Sequence, residues 1–166
     1  MSIKSRLQSA ALLLSVVAIA GQTLAHTGAM GIVKERMDGM SLLGDHSKTV
    51  GDMLKGKAAF DLLAVEEAAQ AFVTHGKLIP SLFPDTEDSR ESTATEALPA
   101  IWSNWDEFIA IADKFTNDSQ SLLTVATGLS TGTENVDDQS RAVRTVFFKA
   151  AKNCSACHER FRLDKD

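Results

Sequence analysis

Val143-Arg144-Thr145-Val146-Phe147-Phe148-Lys149-Ala150-Ala151-Lys152-Asn153-Cys154-Ser155-Ala156-Cys157-His158-Glu159-Arg160-Phe161 is the stretch that decides the fold of this chain. Val143, Phe147, Ala150, Cys154, Cys157 and Phe161 recur at spacings of four and three, which puts them on one face of an amphipathic helix. Within that stripe stands Cys154-x-x-Cys157-His158. Two thiols three residues apart on a helix can each add to one vinyl group of the same porphyrin, and the next residue offers an imidazole to the iron. The pattern is that of a c-type haem attachment site. Because it is in phase with the stripe, both sulfurs face the interior of a helical assembly and His158 lies one position round from them.

Other uses of the two thiols fit less well. A redox dithiol of the thioredoxin kind belongs in a βαβ context, and strand signals are weak here: the chain has no Tyr and no run of alternating apolar and polar β-formers. A structural zinc site takes four ligands, and no second Cys/His cluster lies near these three.

Upstream of the decisive stretch the chain reads as three further helices. The first is predicted over about Ala29 to Leu54, with Val33, Met37, Met40, Leu43, Ser47, Val50 and Leu54 as its inner stripe. A second follows over about Ala58 to Lys77, carrying Leu62, Val65, Ala69, Phe72 and Val73 inward and Gly76 near its end. Residues 79–99 hold all three prolines and a Ser/Thr/Asp/Glu-rich centre, and read as the irregular connection between two helical hairpins. The third helix starts near Pro99, a residue tolerated in a first turn, and ends by Gly128 or Gly132. Ile101, Trp105, Phe108, Ala112, Phe115, Leu122 and Ala126 line its inner face, with a bend or break expected at Asn117-Asp118-Ser119. Asp137 and Asp138 open the fourth helix, where their charges suit its N-terminus. The predicted fold class is all-α: an antiparallel four-helix bundle with a covalently bound haem c between its helices.

Residues 1–25 stand apart as a cleaved signal peptide. Lys4 and Arg6 precede an apolar run from Ala10 to Ala20, and Gln22-Thr23-Leu24-Ala25 supplies the small residues of a cleavage site. This run of 11 residues falls short of the ~20 that a membrane span needs. The mature chain, residues 26–166, is 141 residues long and fits one domain. Losing Lys4 and Arg6 with the leader takes the formal net charge from −5 to −7, which argues against nucleic acid or anionic lipid as partners. Export places the chain in an oxidising compartment, the periplasm. Both of its cysteines sit in the haem motif, so no disulfide framework is available.

A short exported four-helix chain with C-x-x-C-H at its C-terminal end resembles the cytochrome c′ / cytochrome c-556 family, the class II c-type cytochromes. Two segments carry the likeness at residue level: Val33-Lys34-Glu35-Arg36-Met37-Asp38-Gly39-Met40 and His158-Glu159-Arg160-Phe161-Arg162. The resemblance implies that Cys154 and Cys157 carry the thioethers and that His158 is the proximal iron ligand. It also implies that Met40 stands at the distal position, Arg36 near a propionate, and Arg162 on the proximal side near the histidine. Arg36 and Met40 are i,i+4 neighbours, so a cation for a propionate sits one turn from a thioether aimed at the iron. Met37 competes for the same role, and the bland alternative for Met40 is core packing. Met30 and Met53 read as end-of-helix packing.

With His158 and Met40 both bound, the iron is six-coordinate and low-spin, suited to one-electron transfer as in cytochrome c-556. With the sixth position merely blocked, it resembles the high-spin c′ branch, which binds nitric oxide or carbon monoxide. The family includes methionine-bearing members of both types. Nothing beyond the haem motif resembles a catalytic constellation, so the chain does not read as an enzyme.

The partners implied are redox proteins, with no membrane span in the mature chain. Dimers through the first two helices are common in the family. A homodimer is therefore allowed, although the first helix shows no clear second apolar stripe. His46 is expected to face solvent, His75 to complement the dipole at the end of the second helix, and His26 to be the mature N-terminus, a position for adventitious metal. Trp105 reads as core or haem wall and Trp102 as a dimer contact. Lys149, Lys152, Arg160, Arg162 and Lys165 form a solvated face that would present a basic rim to an acidic redox partner.

Overall fold

In a computed structural model of the chain, residues 28–130, 132 and 135–164 are described. The leader, His26 and Lys165 lie outside them. The elements are α1 (Gly31–Leu54), α2 (Leu62–Leu82), α3 (Glu87–Glu91), α4 (Ala100–Ser103), α5 (Trp105–Ser130) and α6 (Val136–Phe161). The four long helices form the bundle. α2 packs along α5, α5 along α6 and α1 along α2, while α1 and α6 meet far less than these three pairs. That uneven packing leaves room between the first helix and the last.

Local chemistry explains most helix ends. α1 closes where Gly56 takes φ +72°, a left-handed turn that costs glycine little, with Lys55 N–H donating to Gly51 O and Gly56 N–H to Met53 O. The side chain of Arg144 reaches from α6 to donate to Leu54 O at that same end. Asp61 caps α2 by accepting from Leu63 N and Ala64 N, so this helix starts at Leu62, the first residue of its apolar stripe and four residues after the predicted start at Ala58. It also runs five residues past the predicted end. Gly76 is no terminator: it is the place where α2 meets α5, with Thr116 Oγ1 only 2.5 Å from where a Cβ would stand. Pro80 falls in the last turn, where it forfeits one intrahelical bond, and the burial of Ile79 and Leu82 sustains the helix around it.

The predicted third helix divides at Asn104, whose Nδ2 donates to Ala100 O, into the single turn α4 and the long α5. The break expected at Asn117-Asp118-Ser119 does not occur: α5 runs unbroken through it. Asp118 and Ser119 are buried, and the Asp118 carboxylate takes its partners from Lys114 and from α6 instead of competing for its own backbone. α6 begins as predicted: Asn135 Oδ1 accepts from Asp138 N, and Asp137 and Asp138 occupy the first turn.

The connection between the hairpins is more ordered than its composition suggested. Thr86 caps α3, Trp102 Nε1 donates to Phe83 O and Pro84 O at 3.1 and 3.2 Å, and Ala97 forms an antiparallel bridge with Arg162. Leu98 N–H to Phe161 O and Leu163 N–H to Glu96 O fasten this strap to the end of α6. The bundle core beneath it is aromatic, with Phe108 edge-on to Phe83 and to Phe161 at centroid distances of 4.9 and 5.4 Å. Among the described residues, no helix is long and apolar enough to cross a membrane.

Candidate functional site

A cavity of about 540 Å³ opens between α1 and α6. α5 supplies its apolar back wall through Phe108, Ile111, Ala112 and Phe115, and Thr95, Glu96 and Ala97 of the strap close one end. The α1 wall carries Arg36, Met37, Met40, Ser41, Gly44 and Ser47, and the α6 wall Asn153, Cys154, Cys157, His158 and Phe161. Three positions of the predicted α1 stripe, Met37, Met40 and Ser47, are therefore only half-buried, as are Cys154 and Cys157. They line the cavity while the rest of the stripe is core.

Both thiols are free and pushed towards the protonated form. Burial raises Cys154, and burial with the nearby Cys154 charge brings Cys157 up to about 11. His158 is an exposed residue overall, yet its ring is desolvated against the cavity wall. That lowers its pKa, and the neighbouring Arg162 cation adds to the effect. Arg162 lines the same wall and is exposed, its Nε paired with Glu96 Oε2 at 2.7 Å.

At the α1 wall Arg36 is buried, at 2 % exposure. Nη1 donates to Ser89 Oγ, and Nη2 to Ser89 O and Thr95 Oγ1, at 2.7 to 2.9 Å, while the guanidinium lies over the Phe83 ring. All three acceptors are neutral. Burial without a carboxylate partner depresses the Arg36 pKa, and three bonds leave two of its five N–H groups for a further acceptor. Of the two methionines, Met40 packs against the core cluster and Met37 does not.

These features fit a haem. The cavity is apolar, two thiols at C-x-x-C spacing stand on one wall, and on the other stands a buried cation that pairs with no carboxylate among the described residues. Cys154 and Cys157 would hold the porphyrin, His158 and Met40 would be placed for the iron, and Arg36 would meet an anionic substituent.

Several sequence expectations need correction. His46 is half-buried with its ring edge-on to Phe72, where solvent exposure was expected. His75 is not at a helix end, because α2 continues beyond it. Its Nε2 is buried with no hydrogen-bond partner among the described residues, 1.7 Å from where a Cβ on Gly39 would lie. Trp102, expected as a dimer contact, turns inward to the strap carbonyls, whereas Trp105 packs on Phe108 as its core reading expected. Met53 is buried at a helix end as expected, whereas Met30 is exposed. The basic rim is largely neutralised: Lys149 pairs with Asp118, Arg160 with Glu107 and Arg162 with Glu96.

Asp118, Asn153, Ser89 and Thr95 were not anticipated. The spacings Lys114–Asp118 and Lys149–Asn153 were a legible signal for the first two, as was the polar Asn153 between Ala150 and Cys154 on an apolar face. Nothing local pointed to Ser89 or Thr95.

A helical bundle whose first and last helices enclose an apolar cavity with a Cys-x-x-Cys-His wall defines a bundle-type c cytochrome. A family model described as Cytochrome C′ matches residues 31–162. Cytochrome c-556 of Agrobacterium fabrum is 30% identical over 137 residues, covering 82% of this chain and 84% of that one. Cytochrome c′ of Rhodopseudomonas palustris is 29% identical over 134 residues, covering 81% and 83%. A solved structure of cytochrome c′ from Rhodopseudomonas palustris superposes with a TM-score of 0.70 at 25% identity, covering 83% of this chain and all of that one. The chain belongs to the cytochrome c′ family, as a monohaem c-type cytochrome carrying one covalent haem c.

Proposed function

We propose that this chain is a periplasmic one-electron carrier, exported by a leader removed after about Ala25. Cys154 and Cys157 hold the haem by thioethers, and His158 and Met40 ligate its iron. Haem ligated by His and Met supplies a one-electron couple with a raised reduction potential. The observation that carries the reading is the placement of Met40: it lines the cavity from α1, packed against the core, across from the α6 wall that bears Cys154, Cys157 and His158. A core-packed thioether has few positions to choose among, so little ordering entropy is lost on ligation. Met37 lines the same cavity without core contacts and is the weaker ligand. Arg36, one turn from Met40, offers its two remaining N–H groups to a propionate, and Arg162 stands on the His158 side. The occupants of its electron-transfer surface are redox proteins, and we assign no catalytic residue.

One observation favours a second reading. The relative named cytochrome c′ matches almost as well as the one named cytochrome c-556, at 29% against 30% identity. In that reading Met40 blocks the sixth position without bonding, and the high-spin iron takes nitric oxide or carbon monoxide. Replacing Met40 and Met37 separately by Ala, with carbon monoxide titrated into the ferrous holoproteins, separates the two. The carrier reading predicts that wild type and Met37→Ala resist carbon monoxide and Met40→Ala binds it. Ready binding by wild type supports the c′ reading instead.

A further inference from the structure

Asp118 is a buried carboxylate on α5 that neither haem attachment nor iron ligation uses. Oδ1 accepts from Lys149 Nζ at 2.9 Å, and Oδ2 accepts from Lys114 Nζ and from Asn153 Nδ2, both at 2.8 Å. Asn153 is itself buried. Its Oδ1 accepts from Lys114 Nζ at 3.1 Å, and its Nδ2 also donates to Lys149 O at 3.2 Å. Both ends of that amide are thus committed, and the side chain stands in the cavity wall beside Cys154. Further along the same two helices Arg160 pairs with Glu107 at 2.6 Å. The Cys154–His158 turn is therefore bracketed by two polar ties to α5.

The two ties differ in burial. Arg160 and Glu107 are both solvated, whereas the Asp118 side chain is 8% exposed. Lys114 and Lys149 are 59% and 61% exposed, so water screens their charges more than that of Asp118. A buried charge next to an apolar cavity acts through a low effective dielectric. The field reaching the cavity wall from this cluster is consequently more negative than its formal charges suggest.

We propose that Asp118, acting through Asn153, is a positioning residue that fixes the wall beside Cys154 and holds down the reduction potential of the haem. The reaction concerned is the gain of one electron by ferric iron from a protein donor, with no bond made or broken. A nearby negative charge favours the ferric side. The inference rests on haem attachment at Cys154 and Cys157 and holds whichever group occupies the distal position.

The test compares midpoint potentials of holoproteins carrying Asp118→Asn, Lys149→Gln and both, at neutral pH and low salt. Asp118→Asn should raise the reduction equilibrium constant about threefold, ~30 mV for a one-electron couple at 59 mV per tenfold. Lys149→Gln should lower it, and the double variant should fall between the two. A merely structural tie would shift both single variants the same way or neither, and either result overturns the inference. Should Asp118→Asn fail to assemble, an unchanged or raised potential in Lys149→Gln overturns it equally. Mass spectrometry of the wild-type peptide bearing Cys154 and Cys157 is the separate arm. Absence of haem there defeats the attachment reading, and this inference with it, whereas attached haem with no opposed shifts defeats this inference alone.

Discussion

Arg36 and Ser89, 53 residues apart, are joined twice: Nη1 donates to Ser89 Oγ at 2.9 Å and Nη2 to Ser89 O at 2.8 Å. Ser89 is the buried residue of α3, so this pair fastens the connection between the two hairpins onto α1 at the edge of the cavity. One guanidinium thereby serves the strap and the site together.

Replacing Arg36 by Met should leave the buried Ser89 O without its guanidinium donor and cost about 2 kcal/mol, since an orphaned buried acceptor loses its full desolvation energy, while Thr95 Oγ1 keeps the Ala97 N–H. Lys in its place should recover little, because an ammonium cannot reach acceptors that a planar fork spans. Urea denaturation of the holoproteins measures both, and full recovery by Lys would contradict the double attachment.

Gly39 and His75 form the tightest α1–α2 approach among the described glycines. Gly39→Ala gains about 1 kcal/mol of helix propensity but crowds the imidazole, at ~1–3 kcal/mol for overpacking. A net loss of stability is expected. With His75→Ala already present, the same change should stabilise. Thermal melts of the four chains test this reversal of sign, and additive effects would sink it.

Asp118 links stability to acid. Burial tends to raise its pKa, but hydrogen bonds from Lys114, Lys149 and Asn153 outweigh that and hold it at about 2, below the usual 3.8. A carboxylate depressed on folding contributes stability that is present above its unfolded pKa and fades as pH falls from near 3.8 towards 2. The contribution is at most about 2 kcal/mol, reduced because both lysines are solvated. Denaturation midpoints followed down through that window should fall less steeply in Asp118→Asn than in wild type.

How much of this was legible in the sequence follows from how local each signal is. The α6 stripe and the α1 stripe, with Arg36 and Met40 one turn apart, are periodic within a single helix and lead directly to the bundle and its cavity. The end of α2 was misread because Gly76 looks like a stop when only neighbouring residues are considered, and its reason, Thr116, lies on another helix. His46 and His75 were misplaced for the same cause: Phe72 and Gly39 reach them only through packing. The Asp118–Asn153 tie spans 35 residues, and half of it, the i,i+4 spacing to Lys114, was visible without its partner.

We propose that His158 and Met40 ligate one iron from opposite walls of the cavity. The absorption spectrum of oxidised holoprotein, wild type against Met40→Ala, tests it most directly. A low-spin spectrum is expected, with a sulfur-to-iron charge-transfer band that Met40→Ala abolishes and Met37→Ala keeps. A high-spin spectrum in wild type, or a band that survives the loss of Met40, would contradict it.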